Sequence, residues 1–180
     1  MNTFTLGGIH PPEHKELACN SAIEVAKPPQ TAYIPLSQHI GMPSREMVEV
    51  GQRVLAGQQI GNPAGFVSAP VHATISGKVT AIELFTNPMG KRIPAIVIES
   101  DKADEWVSFE EDPNYMERPS DVLKERVKNA GIVGMGGATF PTIVKLSPPK
   151  EKHVDAVIIN GAECEPYLTA DHRLMLEHPQ

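Results

Sequence analysis

The chain has 180 residues, of which 41% are hydrophobic and 21% are charged, which suffices for one packed domain or two small ones. The net charge is −6 and no Lys/Arg-rich run occurs, so nucleic acid is disfavoured as a partner. No apolar stretch of about 18 residues is present, so no direct membrane insertion is expected, and no signal-peptide pattern is visible. Two cysteines fit a reducing cytoplasm better than a disulfide and are too few for a four-cysteine iron–sulfur site.

The first hundred residues change from irregular to β-rich. Residues 1–30 contain turn formers and prolines, which predicts an extended segment that packs on a domain. Residues 31–100 contain short β-prone runs at 47–50, 78–82 and 93–98, separated by glycine or proline. Four glycines are predicted at sharp chain reversals, where a positive φ favours glycine: Gly51, Gly57, Gly61 and Gly77.

Residues 50–60 and 69–79 together resemble the biotinyl/lipoyl type of barrel-sandwich hybrid domain. In such domains, a lysine at a hairpin tip carries the swinging cofactor arm. The corresponding segment here, residues 61–68, contains no lysine. We therefore expect a scaffold rather than a carrier domain.

Residues 101–119 are acidic and irregular and are interpreted as a linker, with Trp106 and Phe109 anchoring it to a domain surface. This places the predicted domains at residues 1–116 and 117–180. Ser120 is predicted to cap a helix that ends at Gly131. A short helix at residues 141–146, a strand at 154–160 and a helix starting near Thr169 are predicted to follow, which is the beginning of an α/β domain.

A glycine-rich segment, residues 131–142, joins the first two predicted helices; we call it the glycine loop. Adjacent glycines let backbone N–H groups approach a phosphate or a flat ring, and Pro141 at a first helical position would direct that helix's N-terminus to the same ligand. The loop is neither a Walker loop nor a Rossmann fingerprint. A tight inter-helix turn is the alternative interpretation.

A second polar segment follows the predicted strand; we call residues 160–166 the acidic turn. Ligands of α/β proteins bind beyond the carboxyl ends of strands. Asn160 offers both a donor and an acceptor to a heterocycle edge, and Glu163 and Glu165 can accept bonds from ribose hydroxyls or nicotinamide N–H groups. We therefore predict that the glycine loop and the acidic turn face each other across one nucleotide-sized cleft.

Together the two segments resemble the flavin domain of the complex I 51-kDa subunit family, with its Gly-x-x-Gly-x-Gly-Gly-x-x-Phe-Pro-Thr loop. Met135 and Ala162 stand where that family has Arg and Asp, and both replacements are typical of the RnfC family. N-terminal segments around His10, Ile34 and Val71 resemble the same RnfC family. The resemblance implies an α+β multidomain chain: a barrel-sandwich hybrid domain followed by the start of an α/β FMN/NADH-binding domain.

The resemblance also implies residue roles. FMN and NADH would be the cofactor and substrate, with no side chain acting as an acid–base catalyst. Residues expected to bind them are Gly134, Gly136, Gly137, Phe140, Thr142, Lys145, Asn160, Glu163 and Glu165.

By this resemblance, the chain is an N-terminal fragment of a flavoprotein component of the Rnf electron-transport complex. Such a component lies peripherally at the cytoplasmic face of the bacterial inner membrane and transfers electrons between NADH and ferredoxin. The 4Fe–4S clusters are expected only in a missing C-terminal part, and the isolated fragment is predicted to be inactive. The alternatives are a scaffold like that of the related sodium-translocating NADH:quinone reductase and a non-catalytic assembly module.

The remaining reactive residue types have simpler interpretations. Four histidines, His10, His14, His39 and His72, suggest zinc, but Pro11 and Pro12 preclude a regular helix that would put the first two on one face. Structural hydrogen bonding is the preferred interpretation, and no metal site is predicted. Cys164 is expected to be near the flavin loop through packing rather than as a reactive thiol.

Overall fold

The computed structural model describes residues 11–135, 137–149 and 151–179. The predicted motif around His10 and the predicted site residue Gly136 lie outside the described residues. The chain divides into two compact units, one spanning Pro28–Lys152 and the other formed by the described residues up to Lys27 and from His153 onward. The predicted domain boundary between residues 116 and 117 remains a prediction.

Seven strands and three α-helices organise the described chain, and each is short except for one long hairpin. The strands are β1 Thr31–Pro35, β2 Arg45–Glu46, β3 Arg53–Val54, β4 Gln59–Asn62, β5 Val71–His72, β6 Gly77–Thr86 and β7 Arg92–Ser100. The α-helices are α1 Ser120–Asn129, α2 Thr142–Lys145 and α3 Ala170–Glu177, and short 3-10 helices span Lys15–Leu17 and Tyr115–Glu117.

The strands form two antiparallel sheets around one core. The first sheet has the order β1-β7-β6-β3 and the second the order β2-β4-β5. Both sheets contribute to one hydrophobic cluster, in which Val54, Ile60 and Ile98 have no solvent exposure. The β organisation predicted for residues 31–100 is confirmed, except that the run at 47–50 follows β2 and is not itself a strand. Alternating buried and exposed residues along β1 place its core side chains.

The four glycines predicted at reversals have two different roles. Gly51 and Gly57 have φ values of +97° and +79°, as predicted for turns. Gly61 and Gly77 instead lie within β4 and at the start of β6 and are not in the positive-φ region. That part of the prediction is wrong, because these two glycines serve close packing.

At Gly61 an added Cβ would lie 3.0 Å from the Cβ of Val71 and 3.1 Å from Leu36 Cδ2. At Gly77 it would overlap the carbonyl of Glu99 on the paired strand. Glycine inside a strand commonly marks such a close approach of a neighbouring backbone or side chain.

The helices follow the predicted pattern with corrections at their ends. Pro119, not Ser120, occupies the N-cap of α1, and Ser120 is the first helical residue. Gly131 follows the C-cap Ala130 with a φ of +68°, so its predicted role as the helix stop is confirmed. Pro141 is the N-cap of α2 rather than its first residue.

The acidic segment after β7 packs on the sheet before α1 begins. Val107 N–H donates to the Ala56 carbonyl at 2.9 Å, and Ala56 N–H donates to the Glu105 carbonyl at 2.9 Å. A Cβ on Gly57 would lie 3.0 Å from Phe109 Cζ and 3.5 Å from Trp106 Cε3. Both aromatic rings therefore lie against Gly57, as predicted, and remain 55% (Trp106) and 68% (Phe109) exposed.

The second compact unit joins the N-terminal segment to the region after His153. Lys15 Nζ donates to the Leu168 carbonyl at 2.9 Å, and Arg173 forms an ion pair with Glu177 in α3. The helix predicted from Thr169 is confirmed as α3, with Thr169 as its N-cap.

The strand predicted at residues 154–160 does not form: this stretch has no strand assignment. Val157, Ile158 and Ile159 are 81%, 89% and 85% exposed. A strand needs a hydrogen-bonded neighbour, and none of the described strands pairs with this stretch. In the described ranges, no helix is long and apolar enough to cross a membrane.

Candidate functional site

The glycine loop is closed at its base by backbone hydrogen bonds. Gly134 N–H donates to the Phe140 carbonyl at 2.9 Å, and Thr142 N–H donates to the Ile132 carbonyl at 2.9 Å. Val133 and Pro141 form an antiparallel bridge between these two bonds. Residues 132–134 and 140–142 therefore form a paired stem between α1 and α2, rather than a single tight turn.

Lys145 brings a positive charge to this loop. It is the last residue of α2, and its side chain reaches back so that a Cβ built on Gly134 would lie 2.6 Å from Nζ. The ammonium thus lies directly beside the bare Cα of Gly134. Because α2 has only one turn, its macrodipole is weak, and Lys145 supplies the main positive charge.

The backbone of the glycine loop adopts conformations that favour glycine at two positions. Gly131 and Gly137 both have φ values of +68°. An added Cβ on Gly137 would meet nothing within 4 Å, so backbone conformation rather than space favours glycine there. Thr139 also has a positive φ, of 49°, so the loop holds a shape that side-chain-bearing residues adopt at a cost.

The start of the loop rests on β5 and the residues before it. A Cβ on Gly131 would lie 2.7 Å from the Pro70 carbonyl oxygen and 3.2 Å from His72 Cε1. Burial lowers the pKa of His72, while a hydrogen bond to the Asn129 backbone at the end of α1 opposes that shift. The lowered pKa favours the neutral imidazole at neutral pH, and its ring lies between β5 and the start of the glycine loop.

The far side of the loop is held by a second contact. Ile40 N–H donates to the Ala138 carbonyl at 3.1 Å. The neighbouring His39 Nε2 accepts the Ala69 N–H at 3.1 Å, and its Nδ1 lies 3.0 Å from the Ile40 carbonyl oxygen. Residues 39 and 40 thus connect the segment before β5 with the loop.

The acidic turn, described by itself, has its side chains engaged in local bonds. Asn160 Oδ1 accepts the Ala162 N–H at 3.0 Å. Glu163 Oε1 accepts the His172 N–H at 3.1 Å, which satisfies a backbone donor in the first turn of α3. Glu163 therefore has a capping role in addition to the predicted ligand role.

Glu165 interacts with the adjacent thiol. Cys164 Sγ lies 2.9 Å from Glu165 Oε2, and this hydrogen bond is the main cause that raises the pKa of Cys164. A raised pKa leaves less thiolate at neutral pH, which disfavours a reactive-thiol role. Among the residues described, no group of three His, Cys, Asp or Glu side chains is arranged to hold a metal ion.

The predicted site residues thus fall into two sets. In the glycine loop and α2, contacts bring Gly134 to Phe140 and Lys145, Thr142 lies on the same stem, and Gly137 belongs to the loop without a neighbour within 4 Å of an added Cβ. Those in the acidic turn are Asn160, Glu163 and Glu165. The two sets belong to different compact units, and the prediction that they face each other remains a prediction.

The contacts that support the loop are not evident from the sequence. The sequence suggests for His72 only a zinc ligand or a structural histidine, and it suggests no role for Ile40. Both contacts join residues far apart in the chain, and no local pattern indicates them.

Comparison with protein families finds a matching domain family for each half of the chain. Residues 3–103 match the RnfC barrel sandwich hybrid domain, and residues 127–180 match the Nuo51 FMN-binding domain. The predicted barrel-sandwich hybrid domain and the start of a flavin domain are therefore confirmed.

The chain is similar over nearly its whole length to the C subunits of ion-translocating oxidoreductase complexes. It is 51% identical over 170 residues to the C subunit of the Na(+)-translocating ferredoxin:NAD(+) oxidoreductase complex of Acetobacterium woodii, covering 94% of this chain and 38% of that protein. Identity to the C subunit of the proton-translocating ferredoxin:NAD(+) oxidoreductase complex of Clostridium ljungdahlii is 48%, covering 96% and 38%. Identity to the C subunit of the ion-translocating oxidoreductase complex of Pseudomonas aeruginosa is 44%, covering 95% and 22%.

Proposed function

Because this chain belongs to the RnfC family, we propose that it forms the first part of a peripheral subunit of an ion-translocating Rnf complex. The full-length subunit transfers electrons between NADH and ferredoxin through FMN and 4Fe–4S clusters, the clusters lying outside these 180 residues. Its proposed partners are the other Rnf subunits and NADH, at the cytoplasmic face of the inner membrane.

The observation that carries this proposal is the position of the Lys145 ammonium beside Gly134. The lack of a side chain at Gly134 leaves room for Nζ, since a Cβ there would lie only 2.6 Å away. Gly134 N–H is already bonded to the Phe140 carbonyl, so Gly134 contributes space rather than a donor. A positive charge beside bare backbone fits the phosphate of FMN.

The other predicted residues complete the proposed site. The glycine loop residues Gly136 and Gly137, with Thr142 and Lys145, would hold the phosphate side of FMN, and Phe140 would face the flavin or NADH. Asn160 would meet the flavin ring, and Glu163 and Glu165 would face flavin or NADH. The chemistry that FMN supplies when bound is acceptance of a hydride and release of its two electrons singly, while the protein contributes position and charge.

One observation favours the alternative of a non-catalytic assembly module for this chain in isolation. The apolar stretch of Val157, Ile158 and Ile159 is exposed and unpaired among the described strands, which fits a surface that other parts of the protein or other subunits cover. The glycine loop argues against a scaffold like that of the sodium-translocating NADH:quinone reductase, because such a scaffold would need no phosphate-binding loop.

The proposal is tested by comparing FMN with riboflavin, which lacks the phosphate. The full-length subunit is stripped of flavin, and its dissociation constants for FMN and riboflavin are measured by fluorescence titration. Lys145→Ala should raise the dissociation constant for FMN and leave that for riboflavin unchanged. Lys128→Ala, which removes a lysine already paired with Glu125, is the matched control. Under anaerobic conditions, NADH should bleach the bound flavin of the wild-type protein. A full-length protein that binds no FMN, or whose flavin NADH does not reduce, would overturn the proposal.

A further inference from the structure

The β-rich part of the chain contacts the glycine loop at two separate points. At the start of the loop, the Cα of Gly131 lies against the Pro70 carbonyl and the His72 ring. At the far side, Ile40 N–H bonds to the Ala138 carbonyl at 3.1 Å. All of these residues belong to the same compact unit, so these contacts are internal to one body.

Both contacts involve one segment, residues 69–72, either directly or through a neighbouring residue. Its first residue, Ala69, donates its N–H to His39, the neighbour of Ile40, at 3.1 Å. Its last residue, His72, is half-buried, and its ring lies beside Gly131, where an added Cβ would be 3.2 Å from Cε1 and 3.3 Å from Nδ1. The segment is well supported, since Val71 is 4% exposed in the core and Ala69 is also buried. This buried segment, which ends in β5, thus contacts the start of the loop directly and its far side through residues 39 and 40, and the described part of the loop contains three glycines.

We infer that residues 69–72 of the barrel-sandwich domain position the glycine loop for the FMN phosphate, with His72 and Gly131 as positioning residues. This inference rests on the proposed function, because it assigns a cause to the shape of the same loop. The physical reason is preorganisation: a loop rich in glycine loses much backbone freedom when it orders around a ligand. Holding it in shape beforehand removes that cost from binding.

The assignment goes beyond a docking role for the barrel-sandwich domain. A domain that only recruits other subunits would leave the affinity of the flavin loop unchanged when its own surface is altered. Here a residue of β5, outside the flavin domain, is expected to affect phosphate binding without contacting the phosphate.

The first test uses two glycines with the same backbone requirement and different surroundings. Gly131 and Gly90 have φ values of +68° and +75°, but an added Cβ meets the Pro70 carbonyl at 2.7 Å only at Gly131, and at Gly90 nothing lies within 4 Å. In the full-length subunit, Gly131→Ala should raise the FMN dissociation constant at least about tenfold, because the loop must shift away from β5. Gly90→Ala should leave it unchanged.

The second test uses rescue at His72. His72→Leu replaces the imidazole beside Gly131 with an apolar side chain of similar bulk that cannot donate to the nearby Asn129 backbone, and should weaken FMN binding. His72→Gln keeps an N–H donor and should restore most of the affinity. Both variants are also titrated with riboflavin, since a displaced phosphate loop lowers only FMN affinity, whereas a general loss of folding lowers the affinity for both ligands.

The outcomes separate the two proposals. If Lys145→Ala leaves FMN affinity at the wild-type value, the proposed function of the loop is wrong. If Lys145→Ala weakens FMN while Gly131→Ala and His72→Leu bind it as the wild type does, only the positioning role is wrong. The positioning role would also be wrong if the Gly131 and His72 variants lost equal amounts of FMN and riboflavin affinity.

Discussion

Replacing Gly134 by alanine should act on flavin binding through Lys145 alone. The new Cβ would lie 2.6 Å from Nζ, and carbon–nitrogen contacts at van der Waals distance are about 3.5 Å, so the ammonium must move by about 1 Å. The atom that must move is the end of a flexible side chain, and Gly134 is not in the positive-φ region. The fold itself should therefore be unaffected.

The size of the effect follows from what Lys145 contributes. A hydrogen bond to a charged group contributes about 1.5–3 kcal/mol, and an exposed ion pair about 0–1 kcal/mol. Lys145 is exposed, so the loss should lie near the junction of these ranges, at about 1.4 kcal/mol, or tenfold in the FMN dissociation constant.

A double-mutant cycle with FMN titration of the full-length subunit measures this. If Gly134→Ala acts by displacing the ammonium, it should cost nothing further once Lys145→Ala is present. The double variant should then bind FMN as weakly as Lys145→Ala does, and all three variants should keep the wild-type thermal unfolding midpoint. Effects that multiply in the double variant, or wild-type affinity in Gly134→Ala, would refute the argument.

Three further predictions concern the stability of the fold and FMN binding by the 180-residue chain. Ile98→Ala should lower the free energy of unfolding by about 2–5 kcal/mol in urea denaturation, because Ile98 is fully buried; Ile93→Ala, half-buried on the same strand, should cost clearly less, and equal losses would contradict the described core. The Ser76 hydroxyl and then Arg53 help to lower the pKa of Asp101 from 3.8 to about 2, so its stabilising contribution should be present above pH 3.8 and lost as pH falls through about 2. In Asp101→Asn that pH-dependent fall should be smaller, and identical pH profiles would exclude the mechanism. The 180-residue chain alone should bind FMN weakly or not at all, because part of the pocket is expected outside it, and an affinity tighter than about 1 μM would contradict this.

The position of a residue in a turn or at a helix end can be predicted from the sequence when it depends on that residue's own backbone preference. The sequence predicts Gly51, Gly57 and Gly131 at a turn or a helix end, and each has a positive φ. Long-range packing decides the other cases. Gly77 is predicted at a reversal, but it starts β6, where pairing with β7 brings the carbonyl of Glu99, twenty-two residues further along, into the space that a side chain would need.

In the candidate site, too, residues with a local sequence signal are predicted, and residues that act through long-range contacts are not. Lys145 is identified by the resemblance of the loop to a known family, and its position beside Gly134 agrees with that role. His72 is not identified, because an imidazole that supports a helix end nearly sixty residues away leaves no local pattern. The strand predicted at residues 154–160 has the right composition but lacks a neighbour among the described strands, and composition alone does not supply one.

The segment that would carry a swinging arm in a lipoyl-type domain is tied down in this protein. Ser68 Oγ donates to the Met42 carbonyl at 2.8 Å, and Met42 N–H donates to the Val67 carbonyl at 3.0 Å. Gly41, with a φ of +103°, lies so close to Val67 that a Cβ would overlap its carbonyl. A segment held by such bonds cannot swing. The same architecture that carries a mobile cofactor arm in lipoyl-type domains is therefore immobile at this position in the present chain. The barrel-sandwich domain of this chain can therefore act as a fixed support for its neighbours in the fold, but not as a carrier.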